Sequence, residues 1–217
     1  MSKLLPEPGI DGMTGLKNDE SFAGDIELMA AHATEACDDL ALVMLDIDRF
    51  LRVNEQYGRP AGDTVIQSLA RHLVDRLPES AIVYRYGGDQ FAILMPSTQK
   101  EQAFLLMEKC RESFQANGIR HGADALDITF SAGVSCCPED GSRTAEIVRK
   151  AEGALFRAKA GGSNRVCLSR EEKMVTKTSH YTYEQLQRLA QLAKKEGVGE
   201  AVLLREALDD LLKKYND

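Results

Sequence analysis

Leu40 to Leu45 form an unbroken apolar run that stops at Asp46-Ile47-Asp48. A short run of this kind predicts a strand buried on both faces, and acids at its end fall at the sheet edge where open α/β folds place ligands. Tyr84-Arg85-Tyr86 and Gln90-Phe91-Ala92-Ile93-Leu94 flank Gly87-Gly88. Aromatic and β-branched runs around paired glycines predict a tight β-hairpin whose turn needs φ > 0, with Asp89 presented at its tip. Between these features, Phe50 to Tyr57 predicts a helix broken at Gly58 and Pro60. It restarts after Gly62 as the helix Thr64 to Leu77, with Asp63 placed as its N-cap. Gln99 to Phe114 carries Phe104, Leu105, Met107, Cys110 and Phe114 at a spacing that predicts a core-facing helix.

The pattern changes at Ser169-Arg170-Glu171-Glu172, a charged linker. Lys173 to Tyr181 is rich in β-forming residues. Thr182 suits an N-cap, and Leu186, Leu189, Leu192 and Ala193 follow at helical spacing. Gly197 closes that helix, and Gly199 opens another with Val202, Leu203, Ala207, Leu208, Leu211 and Leu212 as its stripe. A unit this small can neither bury its stripe nor pair its strand edge alone, so it is expected to dimerise.

The 217 residues suit one domain of common size plus a small appendage. A net charge of −7 argues against a surface that coats nucleic acid or is drawn to membranes. No apolar stretch is long enough to span a bilayer, and the N-terminus lacks a secretion signal, so a cytoplasmic protein is expected. The five cysteines lack C-x-x-C spacing and are expected to be buried, reduced thiols. The histidines show no ligand spacing.

Asp46 and Asp89 suggest the first chemistry. If their strands are neighbours, the two carboxylates can share hard cations such as magnesium, which favour oxygen ligands and bridge phosphates. Asn54 and Asp63 together offer the donors and acceptor that a purine's Watson-Crick edge requires, the carboxylate suiting guanine. The helix-capping role of Asp63 stands beside that reading.

Five motifs in register tie these positions together. They are Asp11-Gly12-Met13-Thr14-Gly15-Leu16-Lys17-Asn18, the stretch Asp46 to Asp63, Arg85-Tyr86-Gly87-Gly88-Asp89-Gln90-Phe91, Thr129 to Val134, and Ala151 to Lys159. In these the chain resembles the GGDEF family of diguanylate cyclases, which join two GTP molecules into cyclic di-GMP. The resemblance implies an α/β (α+β) domain over residues 1–168, with a central mixed sheet flanked by helices. It implies Mg2+ or Mn2+ held by Asp46, Asp89 and the Ile47 carbonyl. Asp89 and Gln90 stand at the catalytic motif, and Phe50, Asn54, Asp63, Lys159 and Arg165 form the nucleotide-binding set. There are departures. Gln90 replaces the motif glutamate, Ser163 replaces an arginine that holds the triphosphate, and the product-inhibition motif would fall on Pro78 and Ala81. Leu51, Arg59 and Asp19 replace the lysine, histidine and arginine usual in relatives. GTP condensation is therefore expected to be weak or absent.

Residues 173–217, after the linker 169–172, resemble the ribbon-helix-helix family, most clearly over Leu192 to Leu208. That likeness implies a homodimer whose paired strands enter a DNA groove, with Thr176, Thr178 and His180 facing base edges. The amides near Gly199 and Glu200 would meet a phosphate. Residues 170–217 carry nine Lys plus Arg against nine Asp plus Glu, without the basic excess of most DNA-binding modules. A helical hairpin docked on the first domain is the alternative. The whole chain thus reads as a GTP- or cyclic di-GMP-binding regulator of DNA, or alternatively as a working cyclase whose tail supplies the dimer.

Overall fold

The computed structural model describes residues 8–122, 124–170, 179–196 and 199–215. Its internal contacts divide the chain into two units, Met1–Glu171 and Glu172–Asp217.

The first unit runs α1 (Asp19–Ala36), β1 (Leu40–Ile47), α2 (Phe50–Tyr57), α3 (Arg59–Arg76), β2 (Ile82–Gly87), β3 (Gln90–Pro96) and α4 (Lys100–Asn117). It continues through β4 (Ile119–His121), β5 (Asp124–Leu126), β6 (Phe130–Cys137), α5 (Thr144–Ala160) and β7 (Val166–Leu168). The main sheet has the order β2-β3-β1-β6-β7. It is mixed: β6 and β7 pair in parallel, and the other pairs are antiparallel.

The unbroken apolar run is explained by β1's central place, where every residue is buried. Side chains alternate across a strand. Ala41, Val43, Leu45 and Ile47 accordingly pack with Val65, Leu69 and Leu73 of α3 and Met107 and Phe114 of α4. Leu40, Leu42 and Met44 pack on the opposite face with Phe22 and Ile26 of α1 and Ile147, Ala151 and Leu155 of α5. Asp46 follows Met44 on the α5 side by the same period. Gly133 on β6 lets α5 approach closely, since a Cβ there would lie 2.1 Å from the Ala151 carbonyl oxygen and 2.2 Å from the Leu155 nitrogen.

Some expectations are corrected. The second helix begins at Arg59, not after Gly62, so Asp63 lies inside α3 and is not its N-cap. The break is confined to Gly58 at φ +83°, and Pro60, one residue into α3, is tolerated because the first helical turn needs no donor there. Leu105 lies on α4's outer face at 57% exposure, leaving Ala103, Met107, Cys110 and Phe114 to face the core. Cys37 is exposed at the left-handed cap of α1, and Cys167 is half-buried. Cys110 and Cys136 are buried, and burial pushes both thiols up to about 12.

The second unit contains α6 (Tyr183–Glu196) and α7 (Glu200–Lys214), which touch each other. Thr182 caps α6 reciprocally. Its Oγ1 accepts from the Gln185 amide at 3.2 Å, while its own amide donates to Gln185 Oε1 at 2.9 Å. Most of the strand expected before it, including Thr176 and Thr178, lies outside the described residues. Ser179, His180 and Tyr181 are exposed and irregular, so Tyr181, at 46% exposure, is not a core position in this chain alone.

Candidate functional site

The antiparallel pairing of β1 with β3 places Asp46 opposite Gln90, at the sheet edge where the β2–β3 hairpin turns. Gly87 (φ +146°) and Gly88 (φ +51°) both adopt positive φ at that turn. The Asp89 carbonyl accepts from the Ile47 amide at 3.2 Å, which fastens the hairpin tip to the end of β1. Asp46, Ile47, Asp89 and Gln90 are thereby brought together.

Asp46 is buried, and both its carboxylate oxygens are engaged. Lys159 in the last turn of α5 lies 2.5 Å from Oδ1, and the Gln90 amide donates to Oδ2 at 3.0 Å. Burial first, and then the Asp46 charge, hold the Asp89 carboxyl above the usual aspartate range, against opposing contributions from its own amide, Lys159 and Arg85. The carboxylates of Asp46 and Asp89 present oxygen, which suits a hard cation. Among the described residues, no group of three or more His, Cys, Asp or Glu side chains gathers to hold a metal.

The purine-reading candidates lie on the helix pair that follows β1. Asn54 is half-buried on α2, and Asp63 is exposed on α3. Gly62 lets the two helices cross. A Cβ there would lie 2.1 Å from Asn54 Oδ1 and 3.0 Å from Phe50 Cζ, so Phe50, Asn54 and the Asp63 turn share one small surface. Arg165 is exposed and folds back over its own loop, its Nε donating to the Ser163 carbonyl at 3.3 Å. His180 and Gly199 belong to the second unit, which is described by itself. Gly199's carbonyl accepts the Leu203 amide as α7 begins.

Two residues escaped sequence reasoning. Asp48 is buried at 3% exposure and accepts from Thr129 Oγ1 at 2.7 Å, Ser131 Oγ at 2.7 Å and the Asn164 amide at 2.9 Å. It fixes the loop after α5, in which Ser163 (φ 62°) and Asn164 (φ 51°) are both left-handed. The signal was present in the alternating hydroxyls Thr129 and Ser131. Arg85 is the other. Its guanidinium sits 5.5 Å from the Phe91 ring centroid and feels the charges of Asp11, Asp89 and Asp63, while its Nε is buried without a partner. Burial draws its pKa below the ordinary arginine value.

The comparisons with known proteins agree with this geometry. A family model for the diguanylate cyclase GGDEF domain matches residues 9–165, and one for a ribbon-helix-helix domain matches residues 176–216. The chain is 35% identical over 157 residues to the diguanylate cyclase DgcP of Pseudomonas aeruginosa, a match covering 72% of this chain and 23% of that protein. It is 30% identical over 158 residues to the response regulator PleD of Caulobacter vibrioides, covering 72% of this chain and 35% of PleD. Most of each relative thus lies outside the match. The crystal structure of the GGDEF domain of DgcB from Caulobacter crescentus, in complex with c-di-GMP, superposes with a TM-score of 0.71 at 27% identity. That alignment covers 76% of this chain and 98% of the DgcB domain.

Proposed function

Because the chain belongs to the GGDEF family of diguanylate cyclases, and its C-terminal part matches a ribbon-helix-helix model, we propose that it binds a guanine nucleotide in order to signal, with little or no turnover. In this reading residues 1–168 hold GTP or cyclic di-GMP, residues 169–172 link, and residues 173–217 pair two copies and contact DNA. The chain works in the cytoplasm. Among the described residues no helix is long and apolar enough to cross a membrane.

The observation that carries the reading is the Gln90 amide bonded to Asp46, beside a purine surface that keeps both Asn54 and Asp63. Asn54 and Asp63 select guanine through its Watson-Crick edge, and Phe50 flanks them. Arg165 and the ammonium hydrogens that Lys159 does not give to Asp46 take the phosphates. Asp46, Asp89 and the Ile47 carbonyl would hold Mg2+ or Mn2+, which supplies charge neutralisation of the phosphates when bound. In the tail, Thr176, Thr178 and His180 would meet base edges, and the Gly199 end of α7 a phosphate.

A working cyclase is the second reading, favoured by the meeting of Asp46 and Asp89 at one edge, with the tail's dimer raising the local concentration of facing domains. Incubation of the protein with GTP and Mg2+, followed by chromatography, separates the two. Nucleotide-dependent thermal shift without cyclic di-GMP formation supports the binding regulator. Product that disappears in Asp89→Ala replaces it with the enzyme. Failure to shift any fragment of its own promoter region, with the dimer intact, removes the DNA part.

A further inference from the structure

Asp46 is the carboxylate on which any cation at this edge depends, and it is already satisfied on both oxygens, by an ammonium on one side and an amide hydrogen on the other. We propose that Gln90 and Lys159 together limit this site to a single divalent cation, where an acid at position 90 would admit a second. This rests on the guanine-nucleotide reading and narrows it.

The charges decide the matter. Asp46 and Asp89 bring two negative charges to the edge, and Lys159 returns one positive charge to Asp46 itself. A Mg2+ ion is usually held by one or two carboxylates together with substrate phosphates, so two such ions at this edge would need the oxygens of both Asp46 and Asp89 free. At position 90 the amide points its nitrogen toward Asp46, as a donor to an acceptor. It therefore occupies an oxygen that would otherwise face a metal and adds no charge of its own. A carboxylate there would do the reverse, since it could only accept. With one cation, the attacking and leaving oxygens of a phosphoryl transfer cannot both be held by metal, whereas a nucleotide can still be bound through its base and one metal-bridged phosphate.

The full-length protein is tested with Mn2+ and the non-reacting analogue α,β-methylene-GTP, by electron paramagnetic resonance and by counting bound metal. The expected result is an uncoupled Mn2+ signal with one ion per chain in the wild type, and an exchange-coupled pair with two ions in Gln90→Glu. Lys159→Met, titrated with Mn2+ alone, is expected to bind roughly tenfold more tightly, since it removes a charge-assisted competitor for Asp46. A coupled pair in the wild type overturns the proposal, as does an uncoupled ion in folded Gln90→Glu or an unchanged Mn2+ affinity in Lys159→Met. Analogue binding that takes up no Mn2+ also overturns it, while leaving guanine-nucleotide binding in place. Absence of analogue binding with and without Mn2+ removes that underlying reading and this inference with it.

Discussion

In the first unit Leu42, Leu45, Ile93, Leu94 and Phe130 have no accessible surface, whereas in the second Leu186, Leu192, Leu208, Leu211 and Leu212 keep 43–53% of theirs. Both units carry amphipathic helices with leucines on one face, so residue type alone does not separate these leucines. Layering does. The first unit places helices on both faces of a five-stranded sheet, so each apolar face finds a partner within the chain. The second offers two helices in contact and no further layer among the described residues, so its stripe remains available to another surface. A closed core can hold a preformed ligand edge. An open one is suited to association.

Four measurements break or sharpen that contrast. The largest effect is expected from Gly133→Val, whose side chain would enter the backbone of α5. It should cost the first unit about 3 kcal/mol in urea denaturation and leave the helicity of the second unchanged. Leu208→Ala removes part of the exposed stripe and should weaken self-association by about 2 kcal/mol per copy in sedimentation equilibrium, with the first unit's unfolding midpoint unmoved. A chain that is monomeric before the substitution breaks the contrast. Thr182→Ala deletes a reciprocal cap and should lower the melting of α6 by about 1 kcal/mol, read in far-ultraviolet circular dichroism.

The smallest effect concerns acid. Burial, the leading cause, holds His72 below its ordinary value of 6.5, against an opposing bond to the Cys110 carbonyl. The unfolded chain therefore takes up a proton that the folded ring refuses. Stability contributed by His72 is fully present above pH 6.5 and declines as the pH falls through and below it. The first unit's denaturation midpoint should follow that slope, and His72→Gln should flatten it. A slope of equal size in the second unit's transition would break the contrast.

Features set by neighbouring residues were legible in the sequence. The Gly87-Gly88 turn, the buried β1 run and the Thr182 cap are specified by residues a few positions apart, through turn chemistry, periodicity and capping. The convergence of Asp46 with Asp89 required only that two strands be neighbours. What the sequence concealed depends on longer-range packing. Asp48's role needs β6 and the loop before β7 brought together, and no local pattern announces that the Asn164 amide will point at it. Arg85 lies within a hairpin motif that looks complete without it. Leu105 is apolar on a polar face, which helical spacing alone assigned to the core. Pro60 lies in the first turn of α3, where a proline begins a helix as readily as it ends one, so its presence alone does not place the boundary.

Gly62 sets how closely the Asn54 side chain lies against α3. A single methyl group at this position would meet the Asn54 amide oxygen before any main-chain atom. The Asn54 side chain, and neither helix, would have to give way, so one nucleotide change in the gene would displace Asn54 and spare the scaffold. Position 62 is thus a place where the Asn54 side chain is held by the absence of a single methyl group, apart from the packing that holds the fold.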